Sequence, residues 1–222
     1  MIVIVFLVIV YALAASIFFS KEIKSTREKD PAAKGDLEII LLYPGLHAVI
    51  AHRIAHAVWK ANLRIVARLL SQISRFFTGI EIHPGAEIGH GLFIDHGMGV
   101  VIGETTIIGD NVTLFQGATL GGTGKESGKR HPTLGNNVVV GAGAKILGNI
   151  KIGDNTYVGA NAVVLRPVPA NTTVVGVPGR ITKQDGQKID PMDHVHISDP
   201  VMLHMKDLLK RIKTLEDNQK NK

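Results

Sequence analysis

Residues 146–164 read ILGNIKIGDNTYVGANAVV, and their aliphatic positions Ile146, Ile152, Val158 and Val164 recur at every sixth residue. A period of six is neither the 3.6 of a helix nor the alternation of a simple strand. It is the mark of a β-solenoid, in which each hexapeptide forms one flat side of a coil. The aliphatic side chain fills a thin core, and the small or turn-forming residue after it lets the backbone round the corner. Working outward, the same frame takes in Leu134, Val140 and Ala170. Two further frames precede it, one through Ile82, Ile88 and Ile94 and another through Ile102, Ile108, Leu114 and Leu120. The expected parallel β-helix therefore runs from Ile82 to Ala170.

The joints between frames are interruptions, and a regular coil can only expel surplus residues outward. The first joint, Asp95-His96-Gly97-Met98-Gly99, predicts a bulge with Asp95 and His96 at its edge. The second, from Gly121 to His131, holds four Gly and three basic residues and predicts an excursion from the coil. Its Gly-rich start lacks the spacing and strand-to-helix setting of a phosphate loop, so a plain surface loop is the alternative. Its basic end, Arg130-His131, is suited to folding over an anion.

Composition narrows the function classes. In 222 residues there are 24 Gly, few aromatics (5%) and no Cys. That excludes disulfides, thiolate metal sites and a cysteine acyl-enzyme. The formal charge of +6 is dispersed, and no aromatic platform accompanies it. Anionic small ligands or a membrane surface explain it better than nucleic acid. His52 and His56 have metal-ligand spacing on a helix, but the Glu of the zinc-protease pattern is missing, so no metal is expected.

Four segments are expected. Residues 1–20 form an apolar stretch, with no charge up to Phe19 and Lys21, Lys24, Arg27 and Lys29 directly after it. This fits a membrane anchor with the rest of the chain on the cytoplasmic side. A cleaved signal peptide, an oligomer-core helix or a poorly chosen start codon are the alternatives. Residues 21–79 read as helical, with Asp30-Pro31 as a helix start and Tyr43-Pro44-Gly45 as a break. Residues 80–180 hold the solenoid. Residues 181–222 carry a turn at Asp185-Gly186 and an amphipathic helix through Val201, Met205, Leu208, Ile212 and Leu215, with a frayed end.

Several ordered motifs go beyond the repeat. Glu81-Ile82-His83-Pro84-Gly85-Ala86, then Ile94 to Thr105, Thr119 to Lys125, Lys129-Arg130-His131-Pro132 and Gly143 to Asn149 together resemble the serine O-acetyltransferases. Asp30-Pro31-Ala32 and His52-Arg53-Ile54-Ala55-His56 match upstream, so the resemblance covers about residues 29 to 180. It implies a left-handed parallel β-helix behind helices, trimer formation with sites between subunits, and acetyl transfer from acetyl-CoA to L-serine in cysteine synthesis. His96 would be the general base and Glu81, where many members have Asp, the carboxylate behind it. Asp30 and Asp95 would meet the serine ammonium, and Arg130 and His131 its carboxylate. Gly122, Ala142, Lys145, Ala160 and Arg180 would line the CoA site. The resemblance also implies inhibition by L-cysteine. Docking to O-acetylserine sulfhydrylase is not expected, since the sequence ends Asn221-Lys222 where the family's docking tail ends in Ile. A hexapeptide acetyltransferase for a sugar or antibiotic hydroxyl is the enzymatic alternative, and a non-catalytic scaffold the other. The paired charges at Asp30 and at Arg130-His131 favour a zwitterionic acceptor over a neutral sugar.

Overall fold

A computed structural model describes residues 2–124, 127–184 and 200–220. Its body is a parallel β-solenoid with three faces. The first face stacks β1 (Glu81–Ile82), β4 (Val101–Ile102), β7 (Thr119–Gly121), β10 (Lys145–Leu147) and β13 (Val163–Val164). The second stacks β2 (Glu87–Ile88), β5 (Ile107–Ile108), β8 (Thr133–Leu134) and β11 (Lys151–Ile152). The third stacks β3 (Phe93–Asp95), β6 (Thr113–Phe115), β9 (Val139–Val140), β12 (Tyr157–Val158) and β14 (Thr172–Val175), closed by antiparallel β15 (Arg180–Gln184).

Register shows where the interruptions go. Partners Val101 and Thr119 lie 18 residues apart, as do Lys145 and Val163, which is one undisturbed coil. Glu81 and Val101 lie 20 apart, and Thr119 and Lys145 lie 26 apart. The surplus is expelled at the corners, so Ile94, Ile102, Leu120 and Leu134 all stay buried. The last predicted position fails. Ala170 is exposed, and Val168 takes its place by bridging to Ile152. Pro167 and Pro169 flank Val168 and lack the N–H a ladder strand needs, so the final coil is shortened and the frame slips by two residues.

One edge of the prism is stitched by side chains. Asn137, Asn155 and Asn171 all adopt positive φ, a conformation Asn tolerates better than most residues. Asn137 donates to Asn155 at 3.1 Å and Asn155 to Asn171 at 2.9 Å, coil to coil.

Five helices precede the coil: α1 (Ile2–Phe18), α2 (Ser20–Lys29), α3 (Asp36–Leu42), α4 (Pro44–Lys60) and α5 (Arg64–Thr78). Asp30 does not open a helix as the sequence suggested. It ends α2 in an extended conformation (φ −105°, ψ 106°), because Pro31 disfavours helical geometry in the residue before it. Among the described residues no single helix is long and apolar enough to cross a membrane, and α1 turns 84° into α2. Most of α1 is nevertheless exposed, including Phe6 and Phe18. α6 (Pro200–Lys220) forms as expected, and Met205, Leu208, Ile212 and Leu215 are exposed within the single chain. The turn expected at Asp185-Gly186 and the terminal Asn221-Lys222 lie outside the described residues.

The helices are pinned to the coil by polar contacts. Arg53 donates to the carbonyls of Ile88 and Gly89 and pairs with the buried Glu22 at 3.6 Å. Ser25 donates to Gly91 O at 2.9 Å, and Lys29 to Asn111 O at 2.9 Å. His56 Nδ1 donates to Pro84 O at 2.7 Å, with His52 stacked 5.5 Å from it. His52 is buried and neither ring nitrogen completes a hydrogen bond, although the Ala86 backbone lies close. Burial, reinforced by His56 and Arg53, pushes its imidazole down to about 3 from 6.5.

The unfolded chain takes up a proton on His52 below pH 6.5 that the folded chain refuses. Stability should therefore be full above that pH and fall as the pH drops from 6.5 toward 3, by at most about 1.4 kcal/mol per pH unit for this one proton. Urea unfolding of the native protein and His52→Leu at pH 7, 6 and 5 is expected to give a flatter pH dependence in the variant.

Candidate active site

The surplus residues after β3 form a tight corner between the third and first faces. His96, Gly97 and Gly99 have φ of 55°, 75° and 75°, and Gly97 N–H returns to Asp95 O at 2.6 Å. A Cβ on Gly97 would stand 2.4 Å from Ile80 Cδ1, so only Gly lets the turn lie flat on the coil. His96, at a positive φ that few residues other than Gly, Asn, Asp and His adopt, is thereby thrust into solvent, with Asp95 half-buried beside it. The predicted bulge forms where the sequence put it.

Glu81 starts the strand next to this corner, directly after Ile80. Its Oε2 pairs with Arg75 of α5 at 3.1 Å, and its side chain is 26% exposed. Nothing in the sequence pattern pointed to Arg75. It reaches Glu81 because α5 ends at the left-handed Gly79 (φ 71°), which turns the chain straight into β1.

The N-terminal helices bring a second carboxylate to the same region. Asp30 Oδ1 accepts Ala32 N–H at 2.8 Å, and Oδ2 accepts the Tyr43 hydroxyl at 2.6 Å. Burial, the Asp30 hydrogen bond and the charges of Asp30, Glu38 and Asp95 hold the Tyr43 phenol above its ordinary value. The phenol thus bonds Asp30 and lies within the field of Asp95. Tyr43 was read only as part of a helix break; a polar tip on a residue so placed was the available signal.

Arg130 and His131 lie on a different edge, between the first and second faces, where the excursion returns into β8. Thr105 organises them. Its Oγ accepts the backbone N–H groups of Arg130 and His131 at 3.0 and 3.1 Å, and contacts His131 Nδ1 at 2.9 Å. Thr105 N–H also donates to Nδ1 at 3.2 Å, which makes Nδ1 an acceptor and leaves the proton on Nε2. Lys129 ties the return by donating to Thr105 O at 2.8 Å and to His131 O. Burial lowers the His131 imidazole, with Arg130 and Lys129 acting the same way and Glu104 opposing. The ring lies flat on Gly103, where an added Cβ would stand 2.0 Å from it. Arg130 pairs with Glu104 at 3.5 Å. Within one chain, then, Arg130 and His131 are not brought to His96.

The residues expected at a CoA site divide in the same way. Ala142, Ala160, Lys145 and Arg180 lie along the edge of His96, in successive coils below it. Gly99, Gly117 and Gly143 stack along this edge, and a Cβ on Gly117 would be 3.4 Å from Gly143 Cα. The result is a narrow strip free of side chains, with Gly99 exposed and Gly117 and Gly143 half-buried. Lys145 donates across it to Gly117 O, and Arg180 is exposed at its foot. Gly122 stands apart, at the start of the excursion beside the Arg130 backbone.

Comparison with known proteins gives a consistent picture. The family described as bacterial transferase hexapeptide (six repeats) matches residues 131–166. A serine acetyltransferase of Synechococcus elongatus is 58% identical over 190 residues, covering 86% of this chain and 78% of the relative. A solved serine acetyltransferase complexed with cysteine superposes with a TM-score of 0.78 at 42% identity, over 86% of this chain and 76% of that one. Another, from Brucella abortus in complex with coenzyme A, gives 0.75 at 44%, over 77% and 68%.

Thr105→Val removes the hydroxyl that orders the Arg130–His131 return, leaving two backbone N–H groups without their acceptor. A loss of about 1–3 kcal/mol in urea unfolding is expected, with Thr105→Ser close to the native protein.

Proposed function

This chain belongs to the serine acetyltransferase family, and we propose that it transfers the acetyl group of acetyl-CoA to the hydroxyl of L-serine, releasing CoA and O-acetyl-L-serine. The observation that carries the reading is the Asp95-His96 corner, held in solvent at the head of a glycine-lined strip and within reach of the Asp30 segment.

His96 takes the proton from the serine hydroxyl as its oxygen bonds to the thioester carbonyl carbon. The carbon–sulfur bond then breaks, and His96 returns the proton to the departing sulfur. Glu81 stabilises the imidazolium. Arg75 occupies Oε2 of Glu81, which leaves Oε1 for the ring. Asp30 and Asp95 meet the serine ammonium. Arg130 and the Nε2–H of His131 meet its carboxylate. Ala142, Ala160, Lys145, Arg180 and Gly122 serve the CoA chain, with Lys145 and Arg180 toward phosphate.

The ammonium and carboxylate ligands occupy different edges of one prism, which supports a site completed by a neighbouring copy, in a trimer. L-Cysteine carries the same ammonium and carboxylate as serine, so the same groups would hold it as an inhibitor. The exposed apolar surface of α1, followed by Lys21 and Lys24, supports a placement of this end of the molecule at the inner face of a membrane.

Three outcomes are expected. Thiol release from acetyl-CoA depends on L-serine and is much slower with galactosides or chloramphenicol; equal rates with a sugar would overturn the acceptor. His96→Ala lowers kcat by several orders of magnitude with the fold retained by circular dichroism, and a loss of only a few-fold would remove His96 as base. The protein co-sediments with vesicles of anionic phospholipid at low salt, whereas its recovery in the supernatant would refute the membrane placement.

A further inference from the structure

We propose that Tyr43 is a positioning residue for the acceptor amino acid: its hydroxyl fixes the Asp30 carboxylate in the orientation that receives the substrate ammonium. The inference rests on the reading of Asp30 as an ammonium ligand.

Asp30 lies at the start of the connection between α2 and α3, outside any regular element. α2 stops at Asp30, and α3 begins six residues later at Asp36. A carboxylate in such a segment samples several orientations unless both oxygens are held. Here Oδ1 is held locally by Ala32 N–H, a contact within the same turn that moves with it. Oδ2 is held by Tyr43 at 2.6 Å, thirteen residues on. Only the second contact refers the carboxylate to the rest of the protein.

Tyr43 is a firm reference point for two reasons. Pro44 follows it, which holds its backbone extended (φ −91°, ψ 107°) and starts α4 at the next residue. Gly45 then presses onto β3: a Cβ there would lie 2.2 Å from Ile94 O, one residue before Asp95. The phenol is thus anchored to the strand that delivers Asp95 and His96. It links the Asp30 turn to the strand of Asp95 and His96 with one short hydrogen bond to a charged acceptor, among the stronger kinds. Its proton is well retained, since nearby carboxylates and burial oppose ionisation.

A packing role alone needs the ring and not the hydroxyl, so Tyr43→Phe separates the two. The variant is expected to raise the KM for L-serine about tenfold, with kcat within about twofold, and with the KM for acetyl-CoA and the thermal midpoint unchanged. Asp30→Asn and the double variant complete the test. The double variant should be no worse for serine than Asp30→Asn alone, because Tyr43 acts through Asp30. Additive effects, an unchanged serine KM in Tyr43→Phe, or a rise in both KM values with a lowered midpoint would each overturn the proposal. If Asp30→Asn itself leaves the serine KM unaltered, the assignment of Asp30 falls, and that of Tyr43 with it.

Discussion

The molecule depends on in-register stacking of aliphatic residues between consecutive coils. Ile82, Ile102, Leu120, Ile146 and Val164 form one buried column, each on the strand beside the last. A shift of one residue in any strand would turn that column outward, because neighbouring side chains point to opposite faces. The core therefore tolerates no surplus length inside the coil, and extra residues must leave at a corner. Function is placed by this constraint. The chain has surplus in the coils that contain Asp95-His96 and Arg130-His131, and the rigid prism holds both in defined positions on its edges.

Electrostatics follow the same division. Carboxylates from the helical segment gather near the His96 edge, while Arg130, Lys129 and a neutral His131 gather on another. One chain thus displays opposite charges on two edges that it does not join. The helices are more than a cap: Arg53, Ser25 and Lys29 fasten them to the edge between the second and third faces, and Gly45 presses on β3, the strand that leads to Asp95 and His96.

Much of this was legible in the sequence, and the reasons differ by element. The hexapeptide period specified the solenoid because each aliphatic position answers to a single core. It failed at Ala170, where a proline on either side of Val168 outweighed the period. The bulge and excursion could be located by counting alone. Asp30 was misread because an Asp-Pro pair signals both the start of a helix and the end of one, and α2 settles which. Arg75, Tyr43 and Thr105 were invisible for a common reason. Each acts through a contact made in three dimensions, with partners in other elements, and no local spacing records that.

The flat contact between Gly103 and His131 also bears on how this scaffold can change. While the imidazole occupies the space above it, position 103 is closed to every residue with a side chain; conversely, a smaller residue at 131 opens a hollow over bare backbone. The two positions form a single packing unit, twenty-eight residues apart in sequence. A side chain at position 103 therefore cannot be introduced by one substitution alone: His131 must give up its place first, so the two positions can change only in that order.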